Sequence, residues 1–280
     1  MNVEEKSSND FLLDTMEFSF SRVNYTCLYE FYLHYIKCNK GTDSFYGVLG
    51  AFCHSILEQY AHGELDVFEL AKYYEDNFDE VVNIDAPYNK YKDLKEDSYY
   101  KCLEYFQNIQ SLPDKYEILG IEKEVHFKID ERPFVGYIDL LLRDKETGEI
   151  IIVDHKSGSI KLTKNGQVSK SKKEQEHLLE FKRQLYLYSI PVIEEYGKVD
   201  KLCWNLFKDG NVLVIQWDAK EFESAKQWAE SQIKNLYDRD DWPPLIDADK
   251  NFYCYNLCGQ REICEYCGRN NREEEYDCPI

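Results

Sequence analysis

Three apolar runs separated by sharp turn signals constrain this chain more than any other feature. Residues 117–129, 133–143 and 149–155 read as strands. Asp130-Glu131-Arg132-Pro133 separates the first pair and residues 144–148 separate the second, both rich in turn-forming residues. The third run, Ile150-Ile151-Ile152-Val153, leads straight into Asp154-His155-Lys156 and then Ser157-Gly158. Asp139 lies 15 residues before Asp154, at the end of Gly136-Tyr137-Ile138-Asp139 and ahead of three leucines.

Two carboxylates and a lysine on neighbouring strands form a pattern suited to cutting phosphodiesters. Carboxylate oxygens are hard ligands of the kind Mg²⁺ and Mn²⁺ prefer. A cation held there lowers the pKa of a bound water and offsets phosphate charge. Lys156 adds a compact positive charge that can hold the water or the scissile phosphate. The backbone carbonyl of His155, between the two functional side chains, is a further candidate ligand.

The flanking segments read as helices. Residues 18–40 read as an entry segment and then an aromatic-rich helix with Ser21 as its N-cap. Residues 44–62, 65–80 and 96–111 have helical spacing, and a long helix is expected over 173–195. Residues 201–208 and 211–217 form a hairpin pattern around Asp209-Gly210, followed by a helix over 219–237. Trp242-Pro243-Pro244 leads into a cysteine-rich tail. The order predicts an α/β fold. With no convincing linker, residues 1–280 read as one domain: a helical part over about 18–111, a core over about 117–217 and a tail over about 242–280.

His54 sits on the otherwise apolar helix 44–62, where an imidazole is usually a core residue. Beside a carboxylate site it becomes a candidate ligand favouring Mn²⁺ or a similar ion. Glu124 is a second candidate for the same pocket, with an exposed strand carboxylate as the competing reading. Gln184 and Tyr188 are four residues apart and share one helix face, from which they can orient Lys156 and contact a phosphate. Lys161, Lys164, Lys170, Lys172 and Lys173 lie in an acid-free stretch and are candidate DNA contacts.

Composition limits the partners. A net charge of −19 argues against broad non-specific nucleic-acid binding, so contact with DNA must be local. No apolar run of 18 or more residues suggests a membrane span. The polar first residues lack signal-peptide order, and an intracellular, cytoplasmic protein is expected. Ten cysteines in such a protein point to metal ligation rather than disulfides. Cys254, Cys258, Cys264 and Cys267 cluster in the tail and suggest zinc or an iron–sulfur cluster on sulfur ligands.

In this order the motifs resemble the RecB-type branch of the PD-(D/E)XK nuclease superfamily over nearly the whole chain. The likeness runs from Phe18-Ser19-Phe20-Ser21-Arg22-Val23 and Cys27 through Gly50 to His54 and Glu58. It continues through Gly136 to Asp139, Asp154-x-Lys156 and Gln184-x-x-x-Tyr188 to the cysteine tail. Leu28 stands where the family usually has proline after the first cysteine. The resemblance implies a restriction-endonuclease-like core, a mixed central sheet flanked by helices. It implies that His54, Asp139 and Asp154 bind Mg²⁺ or Mn²⁺, that Lys156 is catalytic, and that Gln184 and Tyr188 support the site and the strand. It also implies a [4Fe–4S] cluster on Cys27, Cys254, Cys258 and Cys264, with Cys267 as alternative ligand. Cys254 precedes Cys258 by four positions where the family has three. A self-contained zinc site on the four tail cysteines is the competing arrangement.

The implied activity is metal-dependent DNA hydrolysis, commonly exonucleolytic on single strands or ends, in a bacterial, archaeal or phage-encoded protein. CRISPR-adaptation exonucleases, phage exonucleases and recombination helicase–nucleases share the pattern. The alternative is a DNA-end-binding or assembly subunit of a recombination, phage or CRISPR complex with little cleavage of its own.

Overall fold

The computed structural model describes residues 8–267, and side chains from residue 12 onward. Cys278 lies outside the described residues. Five strands form one sheet in chain order: β1 (Tyr116–Ile129), β2 (Arg132–Asp144), β3 (Ile150–Lys156), β4 (Lys201–Leu206) and β5 (Asn211–Gln216). The first three pair antiparallel, β3 and β4 pair parallel, and β4 and β5 return to antiparallel. A parallel neighbour requires a crossover, and the helix α7 (Lys172–Tyr196) supplies it.

The Ile-rich β3 is buried on both faces. Ile150 and Ile152 join Ile138, Leu141, Leu202 and Trp204 beneath α7 and α8 (Ala219–Tyr237). Ile151 and Val153 meet Leu140 and Leu142 on the opposite face. The strand therefore shows no polar–apolar alternation until Asp154, where the charged residues begin.

Before the sheet come α1 (Ser8–Thr15), α2 (Phe20–Val23), α3 (Leu28–Phe31), α4 (Phe45–His62), α5 (Leu70–Val81) and α6 (Leu94–Asn108). The continuous helix expected within 18–40 is broken. Ser19, not Ser21, caps α2, its hydroxyl accepting the Arg22 N–H at 3.4 Å. Cys27 is extended (φ −133°) and restarts the chain as α3, which runs into a π-turn over Tyr32–Ile36. The helical spacing of the aromatic residues does not reveal that break, nor does it mark α1. In contrast, α4 begins where the pattern indicates, with the Ser44 hydroxyl accepting the Gly47 N–H at 3.1 Å. Helices α4, α5 and α6 enclose their own core, including Leu49, Phe52, Ile56, Tyr74, Phe78 and Phe106.

The tail folds back on the segment that follows Cys27. The Thr42 N–H donates to the Gly259 carbonyl at 2.7 Å, and Gly259 N–H donates to Glu30 Oε1 at 2.9 Å. Arg261 donates to the Thr42 carbonyl at 3.1 Å and the Asp43 carbonyl at 2.5 Å. The short α9 (Phe252–Asn256) carries Cys254 and starts this closure.

One glycine ties fold to site. A Cβ placed on Gly136 would lie 2.3 Å from Cε1 of Tyr188, so α7 can approach β2 only because that side chain is absent. Gly136→Ala is expected to destabilise the protein by about 1–3 kcal/mol through overpacking. Gly158→Ala, where the nearest atom is 3.6 Å away, is the control and stays near wild type. Urea unfolding of the pair checks this.

Candidate metal centre

Strand alternation sends Asp154 and Lys156 to the α7 side of β3 and His155 to the other side. Lys156 Nζ lies 3.0 Å from Asp154 Oδ1 and 2.9 Å from Oδ2, but only the Oδ1 contact is a well-directed hydrogen bond. Lys156 Nζ also donates to Gln184 Oε1 at 2.8 Å. Tyr188 lies one turn further along α7, where its phenol interacts with Gln184 and with the Tyr137 backbone. Burial pushes the Tyr188 phenol up to about 12, so it stays protonated. Asp154, Lys156, Gln184 and Tyr188 thus form one relay from β3 into α7. Tyr188 is buried at its inner end, behind Gln184.

Asp139 reaches the same place from β2. Its Oδ2 accepts the His155 backbone N–H at 2.5 Å and lies 3.6 Å from His54 Nδ1 on α4. Burial, and then the neighbouring Asp154 charge, raise the Asp139 carboxyl to about 8. Burial lowers the His54 pKa, which keeps the imidazole in its neutral, ligand-competent form.

Glu122 on β1 completes the set. Its carboxylate, that of Asp139 and the His54 imidazole offer ligand atoms within 4.8 Å of one another. Glu122 stands between the pairs Ile121–Leu140 and Lys123–Ile138, and so opposite Asp139. Its φ is +43°, a left-handed conformation that costs a non-glycine residue about 1–3 kcal/mol. On β2 the alternation resets beside it, since Ile138 and Leu141 face the main core while Leu140 and Leu142 face the other way. This double irregularity aims two carboxylates at one point. Glu122 is itself raised by burial and then by Glu58, which lies on α4 one turn beyond His54.

Glu124, the carboxylate expected from the sequence, is elsewhere. It bonds exposed His126 at 2.8 Å, and His126 also meets Glu17 at 2.9 Å. Regular alternation puts residues 122 and 124 on one face, so the sequence offered no basis for choosing between them. The left-handed backbone at Glu122 makes that choice.

The donor chemistry fits a hard divalent cation. Asp154 is 3% exposed, yet its Oδ2 has no hydrogen bond. Asp139 is held protonated for want of enough compensating charge. His54, Glu122 and Asp139 are the group able to hold a divalent cation, while Asp154 stays outside it, paired with Lys156.

The lysines 161, 164, 170, 172 and 173 are all exposed. Their segment is folded: Leu162 bridges Val168, the Thr163 N–H donates to the Gln167 carbonyl at 2.7 Å, and Lys172 and Lys173 open α7. Lys172 pairs with Glu176 at 3.7 Å, so the acids just beyond the stretch temper its charge.

At the other end of the molecule Cys27, Cys254, Cys258, Cys264 and Cys267 are all buried. Burial raises Cys254 to about 12, reinforced by the nearby thiols of Cys27, Cys267 and Cys264. Cys258 is raised by burial and then by Glu30, and Cys264 by burial. The Cys267 thiol donates to the Cys254 carbonyl at 3.4 Å. These five thiols, from the two ends of the described chain, lie in one region, but no three of them come within 4.8 Å of one another.

A model of the PD-(D/E)XK nuclease superfamily matches residues 17–268, a span that takes in both the carboxylate centre and these thiols. The chain belongs to the PD-(D/E)XK nuclease superfamily. A crystal structure of a candidate exonuclease from Eubacterium rectale aligns with 100% of this chain and 96% of its own, at 13% identity and a TM-score of 0.43. No curated protein matches. Among the described residues no helix is long and apolar enough to cross a membrane.

The raised Asp139 pKa predicts a pH signature for the metal-free superfamily member. Between roughly pH 4, the unfolded value, and about 8, the native state holds a proton that the unfolded state has released. Stability from this group therefore falls as pH rises through that window and is flat above it. In EDTA, urea midpoints are expected to show this slope, and Asp139→Asn is expected to lose it.

Proposed function

We propose that the chain is a metal-dependent deoxyribonuclease of the RecB-type branch, hydrolysing phosphodiester bonds of single-stranded DNA or of DNA ends as an exonuclease. The observation that carries the hydrolytic reading is the Lys156 ammonium held between Asp154 and Gln184, beside a half-buried set of cation donors. Exonucleolytic action on single strands or ends rests on the motif resemblance.

His54, Glu122 and Asp139 would hold Mg²⁺ or Mn²⁺, with Asp154 and the His155 carbonyl as further donors. When bound, the cation makes a water more acidic and draws charge from the phosphate. The chain's own residues do the rest. Asp139 would bind the cation in its ionised form. Lys156, held beside Asp154, aims its ammonium at the attacking water or the scissile phosphate. Gln184 fixes the ammonium by accepting one of its hydrogens, and Tyr188 fixes Gln184. The exposed lysines 161, 164, 170, 172 and 173 supply local positive charge for the incoming strand, whose backbone the −19 chain would otherwise repel. Beyond DNA, a recombination, phage or CRISPR-adaptation protein is the partner class that suits such an enzyme.

The five buried thiols fit a soft metal group. Cys27, Cys254, Cys258 and Cys264, with Cys267 as alternative, would hold a [4Fe–4S] cluster that clamps the two ends of the chain and closes a long loop. Zinc on the tail cysteines is the competing occupant. Anaerobically purified protein is expected to show broad visible absorption that Cys27→Ala abolishes. A colourless protein whose zinc survives Cys27→Ala decides for zinc.

The activity test is digestion of 5′- and 3′-end-labelled DNA with Mn²⁺. Asp154→Ala and Lys156→Ala are each expected to cut the rate by about 10³-fold or more, because each removes charge stabilisation that the reaction needs. DNA binding without cleavage under any divalent metal would leave the chain as an end-binding subunit.

A further inference from the structure

His155 sits between the two active side chains of its strand, yet its imidazole points away from them. It enters a groove of about 1360 Å³ on the far face of the sheet, floored by Leu140, Ile151 and Val153 and walled by α6. Asn205 of β4 lies directly beside it in the parallel register. Asn205 Nδ2 is 2.9 Å from His155 Nδ1 and 2.7 Å from the Tyr105 hydroxyl on α6. An amide nitrogen carries two hydrogens, enough to donate to both. His155 Nδ1 is then the acceptor, and the ring proton sits on Nε2.

The position of this ring bears on the metal centre in two ways. The His155 backbone N–H holds Asp139 Oδ2 at 2.5 Å, and the His155 ring meets the His54 ring edge-on with centroids 5.8 Å apart. Two of the donor groups therefore rest on His155: Asp139 through its peptide N–H, and His54 through its backbone and its ring.

We propose that Asn205 is a positioning residue for the metal centre. By donating to His155 Nδ1 it fixes the ring, and with it the peptide that orients Asp139 and the surface against which His54 lies. The inference rests on the metal-dependent reading above. Asn205 touches neither donor directly and acts only through His155. Groups that orient metal ligands in this way typically change affinity about 10–100-fold when removed.

The test must separate this role from a simple tie between α6 and the sheet. Asn205→Leu keeps the volume but donates nothing, and its carbon denies groove water the same place. Tyr105→Phe cuts only the α6 arm and leaves the His155 arm intact. Mn²⁺ affinity is measured by calorimetry on the full chain, alongside thermal unfolding. Asn205→Leu is expected to weaken Mn²⁺ binding about tenfold, with its midpoint within about 5 °C of wild type, while Tyr105→Phe binds Mn²⁺ as wild type does. A folded Asn205→Leu with unchanged affinity overturns the proposal, as does an equal loss in both variants. Should Asn205→Leu fail to fold, ¹⁵N NMR of the metal-free wild type decides. The Nε2–H tautomer of His155 supports the proposal and the Nδ1–H tautomer overturns it. Wild-type protein that binds no Mn²⁺, or an Asp139→Asn variant that binds it normally, overturns the metal-centre reading itself. Loss of binding in Asp139→Asn with normal binding in Asn205→Leu overturns the positioning role alone.

Discussion

Mutual repulsion among buried carboxylates is the constraint around which this site is built. Asp139, Asp154 and Glu122 converge where water is largely excluded, and like charges in such a medium cannot all ionise without compensation. Lys156 compensates Asp154. Asp139 answers the remainder by keeping a proton to about pH 8. A divalent cation held by His54, Glu122 and Asp139 would replace that proton with two charges. The same arrangement accommodates a nuclease with a strongly negative chain, because the field a phosphate meets is that of the loaded pocket rather than of the whole protein.

The fold supports that convergence at some cost in local strain. Three strands of the sheet, α4 and α7 each bring one or two side chains. Glu122 occupies a left-handed backbone, β2 resets its alternation at Asp139, and Gly136 surrenders its side chain so that Tyr188 can pass. Irregularities of this kind, gathered at one point of an otherwise regular sheet, are where function and stability compete. The tail, folded back on the segment after Cys27, sets the five thiols together and joins distant parts of the chain.

Much of this was legible in the residues. The apolar runs and their turn signals located β1, β2 and β3, and the spacing of apolar residues located α4 and α7, because local burial periodicity reports regular elements directly. Asp139, Asp154, Lys156 and His54 could be singled out because charged or imidazole groups stood within apolar stretches. The break between α2 and α3 was not legible. Aromatic residues at helical spacing occur there, and nothing in that spacing marks the extended backbone at Cys27.

The sequence by itself singled out Asp139, Asp154 and His54 as candidates on β2, β3 and α4, since strand alternation and helix periodicity are short-range properties. Only the tertiary structure decided that Glu122 rather than Glu124 joins them, that Tyr188 supports Gln184 from a buried position, and that Asn205 stands beneath His155. Those choices depend on one left-handed residue, one missing Cβ and one strand register, and each is set by packing between segments far apart in the chain.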